Sequence, residues 1–226
     1  MVIAEIRPLE QIKEMLKGYR KVLNTGCGGC TAVCLAGGQK EVDTLNTKLN
    51  LAFKADNVPF QIDGFTVERQ CETQFIQEFD RMVDKYEAIL SMACGAGVQF
   101  LAERYPSKPV LPAVNSVFVG VNKDIGWYEE RCRCCGDCVL GETGGICPVT
   151  MCAKGSFNGP CGGPQGESCE CSPDTPCAWV AIYKRLKAQN RLDLITKVRE
   201  PREWGNQLQR RLILEPYKQR YMKEAK

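Results

Sequence analysis

A chain of 226 residues with 44% apolar content has room for one large or two small domains and enough hydrophobic material for a core. Thirty basic and 27 acidic residues leave a formal charge of +3, and this near balance argues against nucleic acid as the main ligand. Histidine is absent, which excludes His-ligated zinc or haem and every catalytic arrangement that needs an imidazole.

The opening "MVIAEIRPLEQIKEML" carries Glu5, Glu10 and Glu14 and no long apolar run, so it does not read as a secretory leader. No stretch approaches the roughly 18 apolar residues of a membrane span. The expected location is the cytoplasm. Residues 5–19 predict a short helix, with Ile6, Leu9, Ile12, Met15 and Leu16 at helical spacing. "KVLNTG" predicts a buried strand ending at Gly26. A glycine-rich turn then opens a helix that breaks and re-forms around Gly37 and Gly38, with Val42, Leu45, Leu49 and Leu51 on its apolar side. "VPFQIDGFTV" is a second strand, and "TQFIQEFDRMVDKY" is amphipathic. "EAILSMACGAG" is a third strand ending in a Cys–Gly turn, "VQFLAERY" is helical, and "PVLPAVN" is a fourth strand. This alternation predicts a parallel sheet covered by helices, that is, an α/β, Rossmann-like domain over residues 1–126.

The character changes near Trp127. Residues 131–177 hold ten of the fifteen cysteines, with much glycine and proline and little periodicity. A segment of this kind cannot bury a core unaided and needs metal to fold. The expected second domain is therefore an irregular cysteine-rich metal-binding region, residues 127–177. From 178 onward "AWVAIYKRLKAQ" is an amphipathic helix, with Trp179, Ile182, Tyr183 and Leu186 on one side. A helical basic tail follows, and residues 184–226 carry thirteen basic against five acidic side chains. Its apolar residues Trp204, Leu208, Leu212, Ile213 and Leu214 need a surface to bury against, a partner's or the chain's own.

Disulfides are disfavoured in a reducing cytosol. All-thiolate metal sites point to zinc or to iron–sulfur clusters. Cys27, Cys30 and Cys34 follow the first predicted strand, Cys71 the second and Cys94 the third. Loops after successive parallel strands gather at one edge of the sheet, where such folds bind ligands. A site built from Cys27, Cys30, Cys71 and Cys94 is expected there, with Cys34 as the alternative to Cys71. The N-terminus of the first helix after that strand should favour the negative charge of thiolates. Taken singly, Cys34, Cys71 and Cys94 also read as small buried hydrophobes.

In the central block, Cys132, Cys135 and Cys138 form a C-x2-C-x2-C core, and Cys147 precedes Pro148. Bacterial ferredoxins use closely similar spacing, with the distant Cys-Pro serving either of two clusters. Cys152, Cys161, Cys169 and Cys177 complete a set of eight, enough for two four-ligand sites. Cys134 and Cys171 fall outside this register.

"CGDCVLGETGGICPVTMCAKGSFNGPCGG" with the later "CAWVAIYKRL" resembles the cysteine-rich domain of the methylenetetrahydrofolate reductase C-terminal family, the MetV-type small iron–sulfur subunit of these reductases in acetogens and related anaerobes. "GCGGCTAVCLAGGQKEV" and "LSMACGAGVQFLAERYP" resemble its N-terminal domain, so the likeness spans nearly the whole chain. The resemblance implies a non-catalytic subunit of an oxidoreductase complex, in the one-carbon (Wood–Ljungdahl) metabolism of anaerobes. Its partner would be a flavin-bearing catalytic subunit that reduces methylene- to methyl-tetrahydrofolate, with further electron-transfer subunits or ferredoxin upstream. The implied cofactors are two or three [4Fe-4S] clusters, with room for one zinc, and flavin on the partner alone. Three such clusters, at a net charge of about −2 each, would turn the formal +3 into roughly −3. Two competing expectations follow from the cysteines alone: a zinc-stabilised binding module, and a zinc-thiolate methyl-transfer protein.

Overall fold

The computed structural model describes residues 1–200 and 210–221 and divides into two units, Met1–Arg131 and Cys132–Lys226. The first unit contains, in chain order, β1 (Val2–Ile6), α1 (Leu9–Leu16), β2 (Lys21–Cys27), α2 (Cys30–Val33), α3 (Gln39–Ala55), β3 (Gln61–Val67), α4 (Thr73–Ile76), β4 (Ala88–Ser91), α5 (Gly95–Arg104), β5 (Val110–Pro112), β6 (Val114–Asp124) and β7 (Trp127–Cys132).

Four strands form a sheet in the order β3-β2-β4-β5, with every neighbouring pair parallel. The central strand β2 is an almost continuous buried run, as a strand covered on both faces must be. Val22 joins one core cluster with Ile12 and Leu16 of α1 and Val42, Leu45, Leu49 and Phe53 of α3. Leu51, expected on the same side of α3, is exposed. Leu23, its neighbour in sequence, points to the other face and packs with Ile76, Phe79, Ile89 and Leu101. β4 repeats the alternation, with Leu90 in the first cluster and Ile89 in the second. The chain leaves β2 for β3 on one side and returns to β4 on the other. The strand order therefore reverses beside β2, and the exits of β2 and β4 lie at the same edge, the place where such sheets bind ligands.

A second, three-stranded sheet has the order β1-β6-β7, with β1 antiparallel to β6. This sheet departs from the sequence expectation. Val2–Ile6 is a strand rather than the start of a helix, because Pro8 caps α1 with extended backbone and Ile3 and Ala4 bury against the α1/α3 core. The fourth predicted strand holds, but only as Val110–Pro112. At the fully buried Ala113 the chain passes into β6, whose residues 117–121 carry a strand signal of their own past Asn115, where the expected fourth strand ends. The amphipathic segment after Thr73 is one helical turn followed by two 3-10 turns, Gln77–Arg81 and Val83–Lys85.

The second unit has little regular structure: α6 (Pro148–Met151), a short antiparallel pair β8 (Ser168–Cys169) and β9 (Ser172–Pro176), α7 (Ala178–Ala188) and α8 (Lys218–Tyr221). Its core is Ile146, Trp179, Ile182 and Leu186, with Met151, Leu192, Leu194 and Ile195 against them. The amphipathic face of α7 is the one the periodicity marks, except that Tyr183 is exposed. Residues 192–200 fold back onto the same unit. Arg199 pairs with Glu142 and Asp137, and its backbone exchanges hydrogen bonds with the Asn158 amide at 2.9 and 3.1 Å. Beyond them, Leu212 and Leu214 are exposed, and among the described residues a 3-10 turn at Glu215–Tyr217 leads into α8; Trp204 and Leu208 lie outside the described residues.

Candidate metal centres

Four cysteines stand at or just after the exits of the parallel strands, and the fifth of this unit, Cys34, lies one turn beyond Cys30 in the apolar core. Cys27 is the last residue of β2 and is buried; Cys30 opens α2. Cys71 follows β3, and Cys94 is the N-cap residue of α5. The Cys27 N–H donates to the Gly37 carbonyl at 2.8 Å and the Gly28 N–H to the Val67 carbonyl at 2.8 Å, so the loop from 27 to 30 is tied to both neighbouring segments. A Cβ on Gly29 would stand 3.3 Å from Arg69 Cγ and 3.7 Å from Cys27 Sγ, which shows how closely that loop runs to the exit of β3.

The neighbouring sulfurs influence one another's ionisation. Loss of hydration pushes the Cys71 thiol up, and the sulfurs of Cys27, Cys94 and Cys30 push it further. Burial raises the Cys34 thiol against a backbone hydrogen bond at Ala4, and Cys30 and Cys94 add to the rise. Thiols this close resist ionising together unless a cation compensates them. Cys34 differs from the others. Its thiol donates to the Cys30 carbonyl at 3.0 Å and the Val2 carbonyl at 3.4 Å, and its side chain belongs to the apolar cluster under α3. Its surroundings are those of a small buried hydrophobe. The helix dipole at this edge also differs from expectation. α2 is a single turn, and α5, ten residues long, is the helix whose N-terminus bears a cysteine.

Sequence reasoning passed over Gln70. Its side chain is fully buried. Its Nε2 donates to the Thr25 and Gly26 carbonyls, both at 2.9 Å, and its Oε1 accepts from Ser91 Oγ at 2.7 Å. Its one sequence signal is position: a polar amide directly before a cysteine at a strand exit.

In the second unit, Cys152, Cys161, Cys169 and Cys177 line one cavity, beside Trp179 and the Lys154–Glu170 ion pair. These four belong to the set of eight that the spacing singles out. The Ser156 N–H donates to Cys152 Sγ at 3.3 Å. Burial pushes the Cys152 thiol up, but the backbone N–H groups of Ser156, Lys154 and Gly155 outweigh it and hold the thiol below its ordinary range. Such N–H donors favour a thiolate, the form that binds metal. Cys171 is absent from the cavity wall; burial and the adjacent Cys169 raise its thiol.

Cys135 and Cys138 follow β7, which ends at Cys132, and Cys147 caps α6 ahead of Pro148. The Cys134 N–H donates to Cys132 Sγ at 3.3 Å, with Cys134 itself at φ +52°. Burial raises the Cys134 thiol, followed by Cys132 and Cys135. Among the described residues, no three cysteine or carboxylate side chains close to the spacing of a single-ion site. The donor sets fit thiolate-bound metal in three respects: they are all sulfur, they carry backbone N–H donors at Cys132 and Cys152, and four of them share a cavity wall.

Taken together, these features define a mixed α/β protein that presents thiols at a sheet edge and again in a cysteine-rich C-terminal unit. Residues 111–205 match the family model described as "Methylene-tetrahydrofolate reductase C terminal". The matched segment covers the cysteine-rich block, while Cys27, Cys30, Cys34, Cys71 and Cys94 lie before it. No curated protein and no solved structure matches the chain. Among the described residues no helix is long and apolar enough to cross a membrane.

Proposed function

We propose that this chain is the iron–sulfur electron-transfer subunit of a methylenetetrahydrofolate reductase and passes electrons to the flavin of a partner catalytic subunit. The observation that carries the reading is the shared cavity wall of Cys152, Cys161, Cys169 and Cys177, inside the segment that matches the reductase family. Bound there, iron–sulfur clusters would supply one-electron storage at sites that the polypeptide holds with thiolate alone. Cys132, Cys135, Cys138 and Cys147 are the second set, and Cys27, Cys30, Cys71 and Cys94 the third.

The chain's own residues do the holding. The N–H groups at Ser156 and Cys134 stabilise charge on the sulfurs they face. Trp179 and the prolines around the cavity screen it from water. The folate reduction takes two electrons, and a relay of single-electron sites ending at a flavin can deliver them in sequence. On this reading the chemistry lies on the partner.

The test is iron, zinc and acid-labile sulfide per chain on anaerobically purified protein, with a visible spectrum. About eight to twelve irons with matching sulfide support two or three four-iron clusters. Zinc without sulfide overturns the reading in favour of a zinc-stabilised module.

A further inference from the structure

We infer that Gln70 is a positioning residue that sets the spacing of the sheet-edge thiols for a bound metal group. The inference rests on the reading of Cys27, Cys30, Cys71 and Cys94 as a metal centre. Gln70 is a buried primary amide whose donors and acceptor all meet protein groups, and those groups stand on the strand exits that carry the cysteines. Its Nε2 holds the carbonyls of Thr25 and Gly26, the two residues directly before Cys27. Its Oε1 holds Ser91 Oγ, at the end of β4 and three residues before Cys94. Gln70 itself directly precedes Cys71. One side chain therefore couples the exits of β2, β3 and β4.

Two further observations support this assignment. Ser91 Oγ also accepts from the Ala93 N–H at 3.3 Å, so the coupling continues along the backbone that leads into Cys94. Gly97, in the first turn of α5, has no room for a side chain: a Cβ there would lie 2.9 Å from Gln70 Cβ and 2.8 Å from Ala93 Cβ. The helix capped by Cys94 thus rests directly on Gln70. A buried amide is retained only when its hydrogen bonds are made, and an apolar residue would fill the same core at less cost in desolvation. What the amide adds is a fixed distance between three loops, and a multi-thiolate centre needs its ligands held in place.

The test compares anaerobically purified full-length Gln70→Leu, Ser91→Ala, the double variant and Cys94→Ser with the parent protein. The readouts are iron and sulfide per chain, the electron paramagnetic resonance spectrum of the reduced protein, and the rate of thiol labelling after metal removal. Gln70→Leu is expected to lose about four irons, the share of one four-iron centre, together with one spectral component. Cys71 labelling should quicken, while the signals of the cysteine-rich unit persist. Ser91→Ala, which removes one of the amide's contacts, should alter the same component to a smaller degree, and the double variant should resemble Gln70→Leu alone. Should Gln70→Leu fail to fold, Ser91→Ala carries the test by itself. If Cys94→Ser loses one centre while Gln70→Leu and Ser91→Ala keep parental iron and spectra, the positioning role is overturned. If Cys94→Ser also leaves iron unchanged, there is no centre at the sheet edge, and the reading on which the inference rests falls with it.

Discussion

Trp179 donates its indole N–H to the carbonyl of Ser156 at 2.7 Å, and the Ser156 N–H in turn donates to Cys152 Sγ at 3.3 Å. The largest side chain of the small C-terminal core is thus two hydrogen bonds from a candidate metal ligand. A core of four buried side chains cannot order the surrounding glycine- and proline-rich chain alone. Chelation is therefore expected to unfold the second unit and expose Trp179, while the two core clusters of the first unit stay packed. Tryptophan fluorescence should shift to the red on metal removal, the shift should vanish in Trp179→Phe, and most far-UV circular dichroism should survive. Unchanged fluorescence after complete metal removal would contradict this.

On the proposed reading, the cavity wall separates metal-binding from surplus cysteines. Cys161→Ala and Cys177→Ala are expected to lose one centre's metal, whereas Cys171→Ala, outside the wall, should retain all of it. Cys134→Ala should likewise retain the metal held by Cys132, Cys135 and Cys138. In the assembled reductase, Cys135→Ala should abolish turnover from the physiological donor but leave reduction of the partner's flavin by a small artificial donor. Native turnover in Cys135→Ala would remove the electron-transfer assignment.

Two tyrosines make stability depend on alkaline pH. The Tyr86 phenol donates to Asp63 at 2.9 Å and is pushed up to about 12, by burial first and by the Asp63 carboxylate second. The Tyr105 phenol donates to Asp80 at 2.7 Å and is also pushed up to about 12; burial leads, Asp80 adds to it, and Arg104 opposes. Both folded-state values lie above the ordinary tyrosine value of about 10. The folded protein thus holds these protons more tightly than the unfolded chain. Their contribution is complete below pH 10 and is lost as pH rises from 10 towards 12. Urea unfolding of the first unit should show a decline across that window, and Tyr86→Phe with Tyr105→Phe should flatten it.

Gly37 and Gly18 should respond differently to alanine. A Cβ on Gly37 would drive well inside contact distance of the Met92 carbonyl and the Thr31 hydroxyl, and the Gly37 carbonyl already holds the Cys27 N–H. Because Met92 presents backbone there, it has little freedom to give way, and Gly37→Ala should cost about 1–3 kcal/mol or more and disturb the loop that bears Cys27. Gly18 has open space around it but a φ of +98°, so its penalty comes from backbone conformation alone and should leave metal content untouched. Thermal unfolding and iron content of the two variants separate the effects.

Much of this protein is determined by local sequence. The strands at β2, β3 and β4 were legible because their apolar and β-branched residues are bounded by turn signals, and α3 and α7 because their apolar positions recur every three or four residues. The cysteine spacing singled out the set to which the four cavity-lining residues belong, since ligand pattern in a metal-dependent segment is itself local information. The antiparallel sheet was hidden. β1 is too short to outvote the helical spacing that follows it; β6 has the composition of a strand in Val117, Phe118, Val119 and Val121, but its pairing with the distant β1 is decided only in the fold. Gln70 was hidden for the same reason. An amide carries no periodic signal, and its role exists only where the reversal of strand order brings Thr25, Gly26 and Ser91 around it. Sequence fixes what each segment can bury and which atoms can bind metal; the tertiary fold decides which distant segments meet, because hydrogen bonds between strand exits have no counterpart in local spacing.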